Sequence, residues 1–485
     1  MLKLFSRLAI FISLLAIHVS NIDARTLEIG PQREFADLNA AAAAAQPGDT
    51  IVFVTGVHAG GAHVSDLKGT ADKWIVLRGD GDKGSIIRGG SNAFQLTDAA
   101  YLRIEGLVFE AQTGNGVNLD DGGTYDTPSH HIVIDTCEWR SINATGNNDM
   151  LKMSGIDDFV ISNCSFSNGA AGGSMIDMVG CHRGEISMSV FTLAGSNCIQ
   201  AKGATSDVVI HRNKFTAGGQ RTINIGGSTG LEFFRPLGAT YEARNINVWS
   251  NIIDGSVAAI AFVGAIDSKV INNTILDPER WVVRILQESV DGFQPCGNNS
   301  FINNIVITSA TQPAINIGSN TAPETFIFSH NLWYNPILET WMGPSTPVEE
   351  PGRILNQQPR FEFGYFPASN SPAKGAGLSV QEPERDYFGQ VFDNPRSIGA
   401  LESFRLNVKP KADHAQVHVY PNPASSQVSI RLEDGRSQSV IITDLLGRTL
   451  WSGDGADEYS VNVTAWAAGL YRLVVGQRVF SFLKK

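Results

Sequence analysis

Short apolar segments that each end in glycine recur through the middle of the chain. They are DMLKMSG (149–155), SMIDMVG (174–180), NCIQAKG (197–203), RTINIGG (221–227) and AAIAFVG (258–264). Their final glycines lie 25, 23, 24 and 37 residues apart. A repeat of about 24 residues is typical of a solenoid, in which each repeat forms one coil and stacks on its neighbours.

A second column lies about half a repeat later, two positions before an apolar residue each time. Its members are Cys137, Cys164, Ser189, Asn213, Asn251, Asn273, Asn304 and Asn331. Side chains at one turn of successive coils lie one strand spacing apart, about 4.8 Å, so they can bond to the turns above and below. We interpret the column as an interior ladder rather than a metal or sugar site, and the two columns together predict an all-β, right-handed parallel β-helix. Cys137 and Cys164 lie on neighbouring coils, so a disulfide between them is an alternative if the protein is exported.

The glycine-ended segments also predict which side chains face solvent. Successive residues of a strand point to opposite faces, and the apolar residues Leu151, Ile176, Ile199, Ile223 and Ile260 are expected to face the core. The next residue of each coil then points outward, giving the column Asn118, Lys152, Asp177, Gln200, Asn224, Ala261, Arg284 and Asn316. Two positions later come Asp120, Ser154, Val179, Lys202 and Gly226. Amide, acidic and basic side chains on one face predict the floor of a binding cleft.

Two longer segments interrupt the repeat beside this column, and long loops of repeat proteins often form the wall of a binding site. STGLEFFRPLGATYEAR (228–244) contributes Arg235 and Glu242 as candidate substrate contacts. Its Phe233–Phe234 pair would either stack on sugar rings or pack onto the solenoid.

The second segment, RWVVRILQESVDGFQPCGN (280–298), contributes Gln287 and Glu288 as further candidate contacts. The alternative role for its Arg284 is a structural ion pair with Glu288 or Glu242.

The two ends of the chain differ from the repeats. Residues 1–24 have a basic start, a ten-residue apolar core at Leu8–Ile17 and the small residue Ala24, which predicts a secretory signal rather than a membrane span.

EFADLNAAAAAA (34–45) predicts an N-terminal capping helix. The expected domains are a β-helix over 25–403, a linker over 404–416 and a small β-sandwich over 417–485.

Composition narrows the classes of function. The 485 residues carry a formal net charge of −11, so nucleic acid is not an expected partner. Later segments contain no uncharged apolar run of spanning length, so we expect the mature protein to have no transmembrane segment. Five cysteines cannot all pair internally, and no Cys–His spacing indicates zinc.

The C-terminal segment closely resembles the sorting domain of the type IX secretion system. The resemblance rests on YPNPA (420–424), DLLGR (444–448) and AGLYRLVV (468–475) followed by a basic end. It implies a Gram-negative host of the Bacteroidetes type, recognition by the type IX machinery and a secreted or surface-attached product.

The β-helix region resembles the pectate-lyase-like superfamily, and within it polysaccharide lyase family 6, which includes alginate lyases and chondroitinase B. The resemblance rests on LNAAAAAAQPGDTIVFVTGVH (38–58) and on SPAKGAG, DYFGQ and SIGALE between 371 and 402. It implies a lyase that uses a Lys base, an Arg and often Ca²⁺ on adjacent coils, acting on an acidic polysaccharide. Lys202 and Asn224 match family positions, whereas Gly226 stands where the family has Arg, and AGSNC (194–198) replaces the acidic calcium ligands.

Elimination from a uronic acid needs a cation at the carboxylate and a base near the C5 proton. The resulting hypothesis makes Lys202 the base and Arg221 and Arg284 the carboxylate-neutralising groups. The sugar contacts in this hypothesis are Lys152, Asp177, Gln200 and Asn224.

Three alternatives remain open on sequence grounds. A glycoside hydrolase with the same fold would use paired carboxylates among Asp149, Asp177 and Asp120 or Asp121. A non-catalytic glycan-binding surface protein would use the same face without chemistry, and epimerase chemistry is the third alternative.

Overall fold

The computed structural model describes residues 24–81, 83–124, 126–310, 313–404, 417–432, 439–444, 448–454, 458–475 and 478–485. The predicted signal segment lies outside these residues except for Ala24, and the predicted linker lies outside them except for Phe404.

Short strands make up most of the N-terminal domain, and their bounds follow in chain order. The first are β1 (Thr26–Ile29), β2 (Thr50–Phe53), β3 (Gly56–Ala59), β4 (Ala62–Ser65), β5 (Ile75–Gly79), β6 (Ser85–Arg88), β7 (Phe94–Thr97), β8 (Ala100–Glu105), β9 (Leu107–Glu110), β10 (Val117–Asp120), β11 (Ser129–Asp135), β12 (Glu138–Arg140), β13 (Leu151–Ser154), β14 (Ile156–Ser162), β15 (Ser165–Ser167), β16 (Ser174–Val179), β17 (His182–Ser187) and β18 (Val190–Thr192). The next are β19 (Asn197–Lys202), β20 (Thr205–His211), β21 (Lys214–Thr216), β22 (Arg221–Gly226), β23 (Ala243–Trp249), β24 (Ile252–Val263), β25 (Ala265–Ile266), β26 (Lys269–Ile271), β27 (Thr274–Leu286), β28 (Ser300–Ile302), β29 (Ile305–Ile307), β30 (Ile315–Ile317), β31 (Ile327–Ser329), β32 (Leu332–Tyr334), β33 (Ile354–Leu355), β34 (Phe361–Glu362) and β35 (Phe366–Pro367). The helical elements are α1 (Leu38–Ala44) and the 3₁₀ turns Leu231–Phe233 and Pro323–Thr325.

Parallel pairing between successive coils gives three faces, which confirms the predicted parallel β-helix. In the described part of the chain, β1, β2, β5, β8, β11, β14, β17, β20, β23, β26, β28 and β31, with β25 beside β23, form a 13-stranded back sheet. The side ladder runs through β3, β6, β9, β12, β15, β18, β21, β24, β27, β29, β32 and β33. The front ladder runs through β4, β7, β10, β13, β16, β19, β22, β24, β27 and β30. Because β24 and β27 pass through both ladders, the two form one continuous 20-stranded sheet.

The front ladder has the register that the sequence predicts. Leu151 pairs with Ile176, and the same column continues through Ile199, Ile223 and Ile260, each of them buried. The outward column runs in register through Asn118, Lys152, Asp177, Gln200, Asn224, Ala261, Arg284 and Asn316. A one-residue slip would exchange the two columns, so packing of the aliphatic column in the core fixes the other column on the outward side of the strands, where Asp177, Asn224 and Ala261 are nonetheless buried.

The asparagine column is an interior ladder at the corner between the back sheet and the side ladder. Asn213 Oδ1 accepts the backbone N–H of Ser189 at 2.9 Å, and Asn251 Oδ1 accepts that of Asn213 at 2.9 Å. Asn273 and Asn304 repeat the contact on the following coils. The residue before each of them has a positive φ, as at Ser250 (53°). This tight turn leaves backbone donors that the buried amides satisfy.

The five cysteines lie in the described part of the chain and are all buried and free, so Cys137 and Cys164 form no disulfide. Burial raises the pKa of Cys137 to about 12, which disfavours the reactive thiolate.

Stacked side chains fill the core inside the side ladder. The rings of Trp139, Phe166, Phe191 and Phe215 lie on successive coils, with centroid separations of 4.6, 4.9 and 4.8 Å. These separations match the spacing between strands, so each coil contributes one ring to a continuous aromatic stack.

The predicted capping helix is present but shorter than the predicted 34–45. It begins after Asp37, whose side chain accepts the N–H of Ala40 at 2.9 Å, and it buries Leu38 and Ala41. An Asp at the N-cap satisfies a free helix donor and fixes where the helix starts. The helix therefore begins at Leu38, and Glu34–Asp37 lie outside it.

The C-terminal part contains β36 (Val417–Tyr420), β37 (Gln427–Leu432), β38 (Val440–Thr443), β39 (Thr449–Gly453), β40 (Glu458–Asn462), β41 (Gly469–Val475) and β42 (Arg478–Lys484). They form two antiparallel sheets, β36–β37–β40 and β39–β38–β41–β42, around a hydrophobic cluster of their own. This is the predicted small β-sandwich. Within the described ranges, no helix is long and apolar enough to cross a bilayer.

We predict that Asn251→Ala destabilises the β-helix domain by about 2–3 kcal/mol, because it leaves buried backbone groups on adjacent coils without partners. Asn143→Ala is the matched control, since the Asn143 side chain is exposed. The measurement is urea unfolding followed by circular dichroism. Equal unfolding midpoints for the two variants would contradict the ladder's role.

Candidate active site

A second polar column lies three residues upstream of the outward column, where each coil turns from the side ladder into the front ladder. Its members, here called the corner column, are Asn92, Asn115, Asp149, Ser174, Asn197, Arg221, Ala258 and Trp281. Two successive residues point inward at this bend, as Met175 and Ile176 do. The corner residue and the residue three positions later therefore project from the same side.

Contacts between these two columns recur along the helix axis. Asn197 Nδ2 donates to Gln200 Oε1 at 3.2 Å, and Arg221 Nη1 donates to Asn224 Oδ1 at 3.1 Å. Trp281 lies beneath the guanidinium of Arg284, whose central carbon is 4.3 Å from the ring centroid. The floor of the site is thus a double row of side chains, each coil supporting its own pair.

Four charged residues converge at the centre of this double row. Lys152 Nζ donates a hydrogen bond to Asp177 Oδ2, and Lys202 Nζ lies 3.3 Å from the same oxygen. Lys152 Nζ is also 3.6 Å from Asp149 Oδ2. The side chain of Asp177 is 2% exposed, against 22% for Lys152 and 14% for Lys202, so the lysines face the opening and the carboxylate lies below them.

Asp177 has a buried oxygen, Oδ1, without a hydrogen-bond partner among the described residues. A buried carboxylate oxygen that lacks a donor carries a desolvation cost, and such atoms in native proteins often mark a functional site.

The pKa values of Asp149 and Lys152 are both raised in this cluster, but for different reasons. Burial, together with the Asp177 carboxylate, raises the pKa of Asp149 to about 6. Burial alone would lower the pKa of Lys152, but the carboxylates of Asp177 and Asp149 outweigh it and raise that pKa. Lys152 is therefore a fixed cation, and the Asp149 carboxyl changes charge near neutral pH.

The wall beside Lys202 is built by backbone and a buried carboxylate. A Cβ atom added at Gly227 would lie 2.8 Å from Gln200 Nε2 and 3.3 Å from Lys202 Cδ, so this loop packs closely against both side chains. Glu242, which is fully buried, accepts the N–H of Gly203 at 3.0 Å and the hydroxyl of Thr229 at 2.8 Å. The loop is thereby fixed next to Lys202.

Three of the predicted substrate contacts have structural roles instead. Glu242 is buried and fully engaged, as described. Arg235 is also buried, and its guanidinium pairs with both oxygens of Asp157 at 2.6 and 2.9 Å. The Gln287 side chain forms hydrogen bonds within its own loop. It accepts the N–H of Cys296 and donates to the carbonyl of Ser289. These residues support the walls of the cleft rather than its floor.

The Arg235–Asp157 pair also keeps the Asp157 carboxyl of that wall ionised. Burial would raise the pKa of Asp157, but hydrogen bonds from His182, Arg235 and Arg183 outweigh it and hold the pKa of Asp157 well below its usual range.

The two phenylalanines of the first loop differ in burial. Phe234 is buried and packs edge-on against Phe293, with ring centroids 5.4 Å apart, whereas Phe233 is 61% exposed.

The alternative role of Arg284, an ion pair with Glu288 or Glu242, is not what the structure shows. Glu288 pairs with Arg221 at 3.0 Å, and Arg284 donates through Nε to Asn316 Oδ1 at 3.1 Å. Arg284 and Lys202 share the same face of the front ladder but lie three strands apart, because β22 and β24 intervene between β19 and β27. At the usual strand spacing this is about 14 Å along the helix axis.

Sequence reasoning singled out Asp149 only as a possible acid and missed Ser174, Asn197 and Trp281 as parts of the site. These residues lie at a constant three positions before the outward column, and that spacing would have identified them. Simple alternation of inward and outward residues does not identify them, because two consecutive residues point inward at the bend.

A calcium ion does not fit the side chains that lie here. The ammonium of Lys152 occupies the space between Asp149 and Asp177, where a cation bridging the two carboxylates would sit. Across the described ranges, no group of three or more acidic, histidine or cysteine side chains is arranged to hold a metal ion.

A large concavity lies elsewhere, on the outer face of the back sheet. This cleft of about 640 Å³ runs between Trp74 and Trp249 beside the segment 382–385. Its charged groups satisfy one another, as Arg183 does with Asp158 at 2.8 Å and His211 with Glu185 at 3.0 Å. The unpartnered carboxylate oxygen and the clustered lysines favour the front ladder as the candidate active site.

Comparison with known proteins identifies the C-terminal domain. Residues 418–485 match the family model of the secretion system C-terminal sorting domain, which confirms the resemblance to type IX sorting domains. The match supports export to the cell surface or the extracellular space and implies interaction with the type IX machinery. Among curated proteins, none matches this sequence.

Several solved structures resemble the β-helix at low identity. Pectate lyase Pel9A is 12% identical, with 79% of this chain and 97% of that chain covered and a TM-score of 0.49. A mannuronic acid specific polysaccharide family 6 lyase from human gut microbiota is 14% identical, with 66% and 88% covered and a TM-score of 0.38. The A-module of the Azotobacter vinelandii mannuronan C-5 epimerase AlgE6 is 15% identical, with 66% and 93% covered and a TM-score of 0.43.

The raised pKa of Asp149 predicts a pH-dependent stability. An acid whose pKa rises on folding favours the folded state while it is protonated. Its contribution is complete below about pH 4 and is lost as the pH rises through about 6. We expect the stability of the wild type relative to Asp149→Asn to fall by roughly 3 kcal/mol between pH 4 and pH 7.

The measurement is urea unfolding at pH 4, 5, 6 and 7, with Asp72→Asn as the exposed control. Parallel pH profiles for the wild type and Asp149→Asn would show that this carboxyl keeps an ordinary pKa.

Proposed function

We propose that the β-helix domain cleaves a uronic-acid-containing polysaccharide by β-elimination at the Lys152–Asp177–Lys202 cluster. The observation that carries the proposal is the convergence of two lysine side chains on one buried, incompletely bonded carboxylate at the outward face of the front ladder. Export through the sorting domain is consistent with a polymer that the cell meets outside its envelope.

The reaction has to remove a weakly acidic proton. The C5 proton of a uronate becomes abstractable only when the adjacent carboxylate is neutralised. We assign that neutralising role to Lys152, whose raised pKa keeps it protonated. Gln200 supports it, because bonds from Asn197 and Ser174 hold its Oε1 and leave Nε2 as the donor.

Lys202 is then the base. Its neutral amine takes the C5 proton, the electron pair of the broken C–H bond forms the C4–C5 double bond, and the C4–O bond breaks. The leaving oxygen takes this proton from the Lys202 ammonium, which restores the neutral amine, so the cycle is balanced. Arginine cannot serve as this base because its guanidinium stays protonated.

Arg221 and Arg284, which the sequence predicted as the groups that neutralise the sugar carboxylate, have other contacts in the structure. Arg221 is engaged by Asn224 and Glu288, and Arg284 lies about 14 Å along the axis from Lys202. Neither is therefore assigned to the carboxylate of the sugar that reacts.

Hydrolysis is the second candidate, and one observation favours it. Asp149, with a pKa of about 6, would be protonated in part of the population and could act as a general acid. Elimination releases an unsaturated, ultraviolet-absorbing end, whereas hydrolysis releases saturated reducing ends and a binding protein releases nothing.

We predict that the secreted protein, offered alginate, pectin, chondroitin and ulvan, releases unsaturated ends from at least one of them. Lys202→Arg should lower kcat about 10²–10⁴-fold, since it keeps the charge and removes the base. The matched control is Lys374→Arg at an exposed position. Ultraviolet absorbance of the product measures the rate, and full activity of Lys202→Arg would remove Lys202 as the base.

Chelation gives an independent test of the cation's identity. Because Lys152 supplies the positive charge between the two carboxylates, EDTA should leave kcat unchanged, and added Ca²⁺ should not raise it. Lys152→Met should lose activity. A requirement for Ca²⁺ in the wild-type enzyme would contradict this assignment.

A further inference from the structure

Two arginines lie over one tryptophan near the end of the front ladder, and a third, Arg221, lies two strands before that tryptophan. We call Arg221, Arg280, Arg284 and Trp281 the arginine cluster. The guanidinium carbons of Arg280 and Arg284 lie 4.0 and 4.3 Å from the centroid of the Trp281 ring. A ring that holds two guanidinium groups by cation–π contact is a support for those groups rather than a platform for a sugar.

A bulge in β27 creates this arrangement. Ser256 of β24 pairs with Pro278 and Ala258 pairs with Trp281, so β27 contains one residue more than its partner between these pairs. An extra residue of this kind re-aims a neighbouring side chain. Here it brings Arg280 onto the same ring as Arg284.

Small residues on the intervening strand leave space for the long side chains on either side. Ala258 and Ala261 of β24 separate Arg221 and Asn224 from Trp281 and Arg284, and both alanines are fully buried. Arg221 and Arg284 are close enough to interact. Burial and the Arg221 guanidinium lower the pKa of Arg284, and Arg280 adds to the effect.

One carboxylate offsets the three positive charges. Glu288 lies 3.0 Å from Arg221, and its side chain is 37% exposed. In the described part of the chain, neither Arg280 nor Arg284 forms an ion pair with a carboxylate. In a chain of net charge −11, this local excess of positive charge is a site that an anion would stabilise.

We propose that the arginine cluster is a second anionic subsite, which binds a carboxylate of the same polysaccharide about three strands from Lys202, and that Glu288 occupies it when no substrate is bound. The proposal rests on the proposed function for its substrate, and it adds that the substrate carries charge on several sugars. A long polyanionic chain reaches both the lysines and the arginines, whereas a short oligosaccharide reaches only the lysines.

Two substitutions of opposite sign test the subsite. Arg284→Gln removes a charge-assisted bond and should weaken binding about 10- to 100-fold. Glu288→Gln removes the competing carboxylate and should strengthen binding several-fold. Trp281 is a positioning residue, so Trp281→Leu should behave like Arg284→Gln, and Trp281→Phe should retain most of the affinity.

Binding is measured by calorimetry with long alginate and polygalacturonate chains as probes and neutral dextran as the reference. Arg33→Gln, at an exposed position distant in sequence, is the control for a lost surface charge. Unchanged affinity of both Arg284→Gln and Glu288→Gln for both polyanions would overturn the subsite. Because calorimetry measures binding without turnover, this test of the subsite remains valid even if no polymer yields unsaturated product.

Kinetics on a cleaved polymer separates the subsite from the reacting centre. Arg284→Gln should raise KM for long chains, leave kcat unchanged and leave KM for the shortest cleaved oligosaccharide unchanged. A fall in kcat on both long and short substrates would place Arg284 in the reacting centre and contradict the proposal. Absence of unsaturated product with every polymer, alongside the binding pattern above, would reject the lyase and keep the subsite.

Discussion

Superposition of successive coils is the constraint on which the whole site depends. Each strand bonds to the same strand of the next coil, and the buried asparagines tie the turns together at the strand spacing. A residue's position within its coil therefore fixes the face on which it lies. Side chains from Asn118 to Asn316 form one row for this reason, although almost two hundred positions separate them in sequence.

This stacking also produces the unusual electrostatics of the site. Outward side chains at equivalent positions lie about 4.8 Å apart, so charges placed on successive coils must interact. Lys152 and Asp177 stand at equivalent positions on successive strands, and Lys202, two positions further along the third strand, reaches the same carboxylate. The arginine cluster instead accumulates one sign, with a tryptophan to support it. One sheet thus presents a lysine–aspartate cluster of nearly balanced charge and a cationic end.

The sequence predicted what periodicity encodes. The inward and outward columns and the asparagine ladder follow from repeated spacing, and the β-sandwich follows from strands of alternating polarity separated by turn residues. The structure agrees with each prediction. The contacts of long side chains do not follow from spacing. Arg235 pairs with Asp157, 78 residues earlier, and Glu242 holds the backbone beside Lys202, because loops fold back onto earlier coils. The separation of Arg284 from Lys202 could have been read from the sequence, since the outward column places Asn224 and Ala261 between Gln200 and Arg284.

The most direct test of the central claim is mass spectrometry of the polyuronate fragments released in water enriched in heavy oxygen. If the lysine cluster carries out elimination, each new non-reducing end lacks one water molecule and no solvent oxygen enters at the cleaved bond. Fragments that carry one solvent oxygen per cleavage would contradict the account and identify the carboxylates as the reacting groups.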